Sequence, residues 1–181
     1  FRGKPVLVVT VAGSGDGLSG TVSESRDGGI ERLRSWTTYH SLGELYGRVT
    51  IHLGMKPNEH EYKEMGLAPY APEELAEKAY RIFKNYVDQS ADGLSLQSLC
   101  GKWGTSLSRK IQKDFGSLRF DAVASGLQRR TEEVIVSLVR NWIEKSGIRK
   151  VVVAGGVFMN IKVNMLLAEL PEVEDLFVFP S

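Results

Sequence analysis

Two glycines and an asparagine near the end of the sequence have the types and spacing of a phosphate-binding turn. Gly155 and Gly156 follow the β-branched run at residues 151–153, and Asn160 comes four residues later, where a helical pattern begins. Glycines let backbone N–H groups approach phosphate oxygens, and an asparagine amide can hydrogen-bond a ribose or a base. The same pattern also occurs in packed strand–helix connections without a ligand, so both interpretations stay open.

A second glycine-rich segment follows the predicted buried strand at residues 5–11. Its members are Gly13, Ser14, Gly15 and Asp16. Small residues of this kind let consecutive N–H groups point at phosphate oxygens. Open α/β sheets bind ligands at the carboxyl ends of parallel strands. This segment and the Gly155–Gly156 turn are therefore predicted to meet in one cleft.

Glu61 and Lys63 are the candidates for catalysis in the middle of the sequence. They lie two residues apart in a segment, 57–70, that predicts a polar turn followed by one or two helical turns. A pair of this type is usually a solvated ion pair on a helix surface. Alternatively, Lys63 neutralises a phosphate or an acyl phosphate while Glu61 positions it.

The three histidines and the cysteine predict no metal site and no nucleophile in this chain. His40, His52 and His60 are too widely spaced for the i, i+4 ligand pair of a metal-binding helix, so no metal ligand is assigned. Cys100 has no matching His-Asp set. The single cysteine fits a reducing compartment, which predicts a cytoplasmic protein.

Composition and charge restrict the class of protein. The 181 residues are 42% hydrophobic and 25% charged, as in an ordinary globular domain. A formal net charge of +1 favours neither nucleic acid nor an anionic membrane surface as a partner. No apolar run approaches the ~20 residues that span a bilayer.

Hydrophobic periodicity predicts an antiparallel meander followed by helices and then by alternating strands and helices. Ser41 and Glu44 form a capping-box pattern at the start of the first helix. Strands are predicted at residues 5–11, 18–24, 30–36, 94–96, 150–154 and 175–179, and helices at 41–54, 72–87, 106–115, 121–145 and 158–169. Because right-handed crossovers place the last strands parallel to the first, this α/β order predicts a single ribonuclease-H-like domain over residues 1–181.

Three segments resemble those of the O-carbamoyltransferases, which include enzymes of aminoglycoside and cephalosporin biosynthesis and of nodulation-factor modification. The segment TTYHSLGELYGRVTIHLGMKPNEHEYKEMGLAPYA resembles the family's His-Ser-Leu-Gly-x-Leu-Tyr and Glu-Tyr-Lys-x-Met-Gly-Leu-Ala-Pro-Tyr signatures. VVVAGGVFMNIKVN resembles its Gly-Gly-Val-x-x-Asn box, and LVVTVAGSGDG its strand plus Asp-Gly-x-Gly-Asp turn. The resemblance covers nearly the whole chain.

This resemblance implies a fold and a reaction. The fold is that of the actin, heat-shock ATPase and sugar-kinase (ASKHA) superfamily, in which ATP lies between two ribonuclease-H-like halves. The chain is expected to be chiefly the second half, truncated at both ends. Such enzymes form carbamoyl adenylate from carbamoyl phosphate and ATP, then transfer the carbamoyl group to a hydroxyl of a small-molecule acceptor.

Motif matching assigns roles to residues of this chain. Gly155, Gly156 and Asn160 match the nucleotide-binding box, and the Gly13–Asp16 segment matches the turn that faces phosphate. Glu61 and Lys63 lie in the matched Glu-Tyr-Lys block. The remaining lobe and the C-terminal region of the longer protein are expected partners.

Ala12 departs from the family pattern, because the family has at this position an aspartate that helps to hold a divalent metal. Either the metal site is altered or this copy is degraded. The family's His-x-x-x-His metal motif is expected before Phe1 and its Gly-Asp-x-Gly segment after Ser181, so most metal ligands are expected outside this chain. Two functions stay open: the ATP-facing part of a carbamoyltransferase, or a non-catalytic nucleotide-binding or interaction domain.

Overall fold

Seven strands and six α-helices form the part of the chain that the computed structural model describes, residues 3–180. The strands are β1 Val6–Gly15, β2 Leu18–Arg26, β3 Gly29–Thr37, β4 Val87–Gln89, β5 Leu96–Ser98, β6 Lys150–Ala154 and β7 Asp175–Val178. The helices are α1 Leu42–His52, α2 Glu61–Leu67, α3 Glu73–Phe83, α4 Gly104–Phe115, α5 Phe120–Ser146 and α6 Ile161–Ala168. Phe1, Arg2 and Ser181, the ends of the predicted domain, lie outside the described residues.

The main sheet has five strands in the order β3-β2-β1-β6-β7. β1, β2 and β3 pair antiparallel, whereas β6 pairs parallel with both β1 and β7. The predicted α/β class, with three antiparallel strands followed by parallel ones, is confirmed. β4 and β5 form a separate two-stranded sheet.

The long helix α5 was predicted from periodicity alone, and it runs over 27 residues. The apolar residues that recur along it at three- and four-residue steps are all buried: Val123, Leu127, Val134, Ile135, Leu138 and Trp142. The helix ends at Gly147, whose φ of 70° is the left-handed conformation that glycine adopts at helix C-termini. α5 packs along α3 and contacts α2 and α6, so it supports the elements around the glycine segments.

Two helix boundaries differ from the prediction by more than two residues. The helix predicted over 72–87 ends at Phe83, because Val87 pairs with Ser98 in the small sheet and its carbonyl accepts two hydrogen bonds from Arg130, at 3.0 and 2.8 Å. The helix predicted from residue 158 begins at Ile161, after a 3₁₀ turn at Gly156–Met159. Within residues 3–180, no helix combines the length and apolarity that a membrane crossing needs.

Candidate functional site

The Gly155–Gly156 segment lies against the middle of β1. The parallel pairing of β1 with β6 ends at Thr10 and Ala154, which brings Gly155 beside Val11. A Cβ on Gly155 would lie 2.5 Å from the Val11 carbonyl oxygen, and its φ is +100°. Gly156 is exposed, and a Cβ there would meet no atom within 4 Å. Gly155 therefore permits the strand contact, and Gly156 borders open space where a ligand has room.

The first turn of α1 packs against the same part of β1. The Ser41 hydroxyl donates to the Ala12 carbonyl at 3.0 Å and accepts from the Glu44 N–H at 2.9 Å. A Cβ on Gly43 would lie 2.6 Å from the Gly13 nitrogen, so only glycine allows this approach. Sequence reasoning gave Gly43 no role, although the His-Ser-Leu-Gly signature contains it. The predicted capping box is half formed, since the Glu44 carboxylate pairs with Arg48.

The other glycine segment is mainly a strand, which corrects the turn expected at Gly13–Asp16. Gly13, Ser14 and Gly15 belong to β1, and only Asp16 and Gly17 form the turn to β2, with φ of 52° and 78°. Gly13 lies against the first turn of α1, at Gly43. Ser14, Gly15 and Asp16 are exposed and lead away from the Gly155–Gly156 segment, and Gly15 is about 13 Å along the strand from Val11.

Asn160 caps α6 and is bonded to Gln128 of α5. Its Oδ1 accepts from the Val163 N–H at 3.2 Å and from Gln128 Nε2 at 3.1 Å, and its Nδ2 donates to Gln128 Oε1 at 2.7 Å. Asn160 precedes the helix as its N-cap, and the Asn164 N–H donates to the Asn160 carbonyl at 3.2 Å. No motif in the sequence pointed to Gln128.

The hydroxyl of Tyr46, a buried residue of α1, donates to Gln128 Oε1 at 3.1 Å. Burial raises the Tyr46 pKa, and the charges of Glu64, Glu132 and Glu61 raise it further. Glu64 is fully buried and accepts a hydrogen bond from the Thr50 hydroxyl. Burial raises the pKa of Glu64 to about 8; the Thr50 bond opposes this rise and the Glu61 charge adds to it. Glu64 is thus mostly protonated at neutral pH.

Glu61 and Lys63 face different sides of α2. The Glu61 carboxylate accepts from the Asn58 N–H at 2.5 Å and lies 3.9 Å from the point where a Gly47 Cβ would stand, on the α1 side. The Lys63 ammonium lies 5.8 Å from the ring centre of Tyr62, which is itself exposed. Positions two apart on a helix do not face each other. The residue that shares the Glu61 face is Glu64, which sequence reasoning missed inside the matched block.

The arrangement can bind an anion at one place and hold protons at another. The Gly155–Gly156 turn lies beside Val11 and the start of α1 lies beside Ala12 and Gly13, so both lie against the same part of β1. The protonated Glu64 and the Tyr46 hydroxyl lie further along α1. Among residues 3–180, no three His, Cys, Asp or Glu side chains are grouped so that they could hold a metal ion.

Comparison with protein families gives one match over the whole sequence. The family described as carbamoyltransferase N-terminus matches residues 1–181.

Three curated relatives match almost the full chain, each at 28–29% identity. Nodulation protein NolO of Bradyrhizobium diazoefficiens is 29% identical over 179 residues, which are 97% of this chain and 32% of the relative. Nodulation protein NolNO of Sinorhizobium fredii is 28% identical over 179 residues, 97% of this chain and 26% of its own length. An uncharacterized protein of Methanocaldococcus jannaschii is 29% identical over 177 residues, 92% of this chain and 33% of the relative. The chain therefore spans about a third or less of these relatives.

Proposed function

The chain belongs to the carbamoyltransferase N-terminus family, and from that premise we propose that it is part of an ATP-dependent carbamoyltransferase of the cytoplasm. In the proposed reaction, carbamoyl phosphate loses its phosphoryl group to water, and the resulting carbamate oxygen attacks the α-phosphorus of ATP. Pyrophosphate leaves and carbamoyl adenylate forms. An acceptor hydroxyl then attacks the carbamoyl carbon, loses its proton and displaces AMP.

We propose that the fold is ribonuclease-H-like and forms the second half of a two-lobed ASKHA region. The strand order β3-β2-β1-β6-β7, with the antiparallel strands on one side of β1 and the parallel ones on the other, supports this assignment. The remaining lobe and a C-terminal region would complete the cleft.

The observation that carries the nucleotide proposal is the open space at Gly156, next to the contacts of Gly155 and Gly43 with β1. In the proposal, Gly13, Gly155 and Gly156 offer backbone N–H groups to phosphate oxygens, and Asn160 contacts the nucleoside. Because Ser14, Gly15 and Asp16 lead away from Gly155, they would meet the far end of the triphosphate.

Lys63 is the proposed contact for carbamoyl phosphate. Among the described residues, 3–180, its ammonium pairs with no carboxylate, so its charge is available for a phosphate oxygen. Glu61 would act from the other side of α2 by fixing the start of that helix through Asn58.

A divalent metal does not fit the residues at Ala12. The methyl group has no ligand atom, and the Ala12 carbonyl is bonded to Ser41. We therefore derive no step through a metal in this chain. Ala12 also favours the alternative function, a non-catalytic nucleotide-binding or interaction domain.

Lys63→Met tests the enzyme proposal in the complete gene product that contains this chain. We expect ATP and carbamoyl phosphate to yield pyrophosphate, and the variant to raise the KM for carbamoyl phosphate about tenfold, as expected when one charged hydrogen bond is lost. Lys78→Met, on the exposed side of α3, controls for the loss of a lysine. Lack of product from both the parent and its Ala12→Asp variant would contradict the enzyme proposal. ATP binding under those conditions would favour the alternative.

A further inference from the structure

Gln128 has all four hydrogen-bonding positions of its amide in use. It is 3% exposed, in the middle of α5. Its Oε1 accepts from the Tyr46 hydroxyl at 3.1 Å and from Asn160 Nδ2 at 2.7 Å. Its Nε2 donates to the Glu132 carboxylate at 2.7 Å and to Asn160 Oδ1 at 3.1 Å. The Gln128 side chain therefore connects α5 to α1 through the Tyr46 hydroxyl and to the start of α6 through two bonds with the Asn160 amide.

The chemistry of the outer partners fixes the orientation of both amides. The Val163 N–H can only donate, so the Asn160 atom that meets it is Oδ1. Glu132 meets Gln128 through a carboxylate oxygen, which accepts, so the Gln128 atom that meets it is Nε2. With the two ends fixed, the paired bonds between Gln128 and Asn160 have one possible arrangement.

This arrangement limits what Asn160 can offer to a ligand. Both lone pairs of Oδ1 are in use, and one N–H of Nδ2 is bonded to Gln128. One N–H remains. It can bond an acceptor such as a ribose hydroxyl oxygen, a phosphate oxygen or a ring nitrogen, whereas the amino group of a base finds no acceptor on Asn160.

We propose that Gln128 is the positioning residue for Asn160, holding its amide so that a single N–H faces the nucleotide beside Gly156. The proposal rests on the proposed function for the nucleotide, but the geometry it describes belongs to the protein alone. Gln128 acts through Asn160 and touches no ligand itself.

A double-mutant cycle on ATP affinity tests this role in the complete gene product. Gln128→Met keeps the side-chain length and removes its hydrogen bonds. Asn160→Ser keeps a capping oxygen for α6 and removes the amide N–H. Each variant is expected to raise the Kd for ATP about tenfold. The double variant should bind no more weakly than Asn160→Ser alone, because the two residues act as one unit. Additive losses would overturn the positioning role.

Hydrogen exchange of the Val163 amide gives a readout that needs no nucleotide. This N–H lies in the first turn of α6, where no carbonyl of the helix is available, so Asn160 Oδ1 is its partner. Gln128→Met should speed its exchange about tenfold, measured with single-residue resolution. Unchanged exchange would overturn the proposal. If Gln128→Met does not fold, Gln128→Leu replaces it, since a leucine side chain offers Asn160 neither a donor nor an acceptor.

Asn141→Leu is the matched control on the same helix. Its amide donates to Gln89 Oε1 at 3.1 Å and to the Gly93 carbonyl at 3.0 Å, so its partners are the end of β4 and the loop after it and not the glycine segments. The Asn141→Leu variant should be less stable than the parent, with the same ATP affinity and the same Val163 exchange rate. If both the ATP affinity and the exchange rate changed, any broken hydrogen bond in α5 would have this effect, and the proposal would be overturned. A parent protein that binds no ATP contradicts the proposed function, and Val163 exchange then decides the positioning role by itself.

Discussion

Gly155→Ala is expected to lower the free energy of unfolding by about 4 kcal/mol, because two costs add at this residue. The backbone angles, φ 100° and ψ 162°, lie in a region that only glycine occupies readily. In addition, the new methyl group would stand 2.5 Å from the Val11 carbonyl oxygen and 3.0 Å from its carbon. Both atoms are main chain, so β1 and β6 have to separate. Urea denaturation followed by circular dichroism measures the change.

Gly156→Ala is the matched control, one residue further along the chain. Its backbone is not in the positive-φ region, and a Cβ there meets nothing within 4 Å, so the change in stability should stay within about 0.5 kcal/mol. If a nucleotide approaches at Gly156, the same variant should weaken ATP binding. Equal losses of stability in the two variants would contradict the close contact of Gly155 with β1.

The sheet and the long helix could be predicted because their signals are local. The β-branched runs at residues 5–11 and 150–154 specify buried strands, and the three- and four-residue spacing in α5 specifies its apolar face. The hand of the crossover then makes β6 parallel to β1. None of these steps requires knowledge of a distant contact.

The boundary of α3 could not be predicted because distant residues decide it. The sequence continues a helical pattern to Val87, in which Leu75 and Ile82 have the spacing of an apolar helix face. In the structure these two side chains are only half-buried, and Ala76 is fully buried. Pairing with Ser98 and the guanidinium of Arg130 draws Val87 into a strand. Both partners lie more than ten residues away, beyond any local periodicity.

The candidate site was predictable where glycines carry it and not where buried polar groups do. Only glycine fits at position 155 for steric reasons, and the Gly-Gly pattern in the sequence indicates such a position. Gly43 lies in the His-Ser-Leu-Gly signature. Gln128 and Glu64 sit in helical patterns where polar residues usually face solvent. Their burial arises only when α1, α2 and α5 pack together, and this packing brings Glu64 to Thr50 and Gln128 to Asn160.

The protonation of Glu64 makes the stability of the protein depend on pH in an unusual direction. Burial raises its pKa from 4.5 to about 8. Between these values the folded protein keeps a proton that the unfolded chain releases, so the free energy of unfolding falls as the pH rises. Most paired carboxylates act in the opposite sense, since their folded-state pKa is lowered. The loss is complete only above the folded-state pKa, where Glu64 ionises in the folded protein as well.

Glu64→Gln should remove this pH dependence and stabilise the protein near neutrality. A neutral amide can still accept the Thr50 hydroxyl, and it does not ionise. Relative to the parent, we expect the free energy of unfolding of the variant to increase by on the order of 3 kcal/mol between about pH 5 and pH 8. Urea denaturation at a series of pH values measures it, and Glu169→Gln, at the exposed end of α6, controls for the loss of one carboxylate. Parallel pH profiles for the parent and Glu64→Gln would show that Glu64 is ionised in the folded protein. The inference of a protonated Glu64 between α1 and α2 would then be wrong.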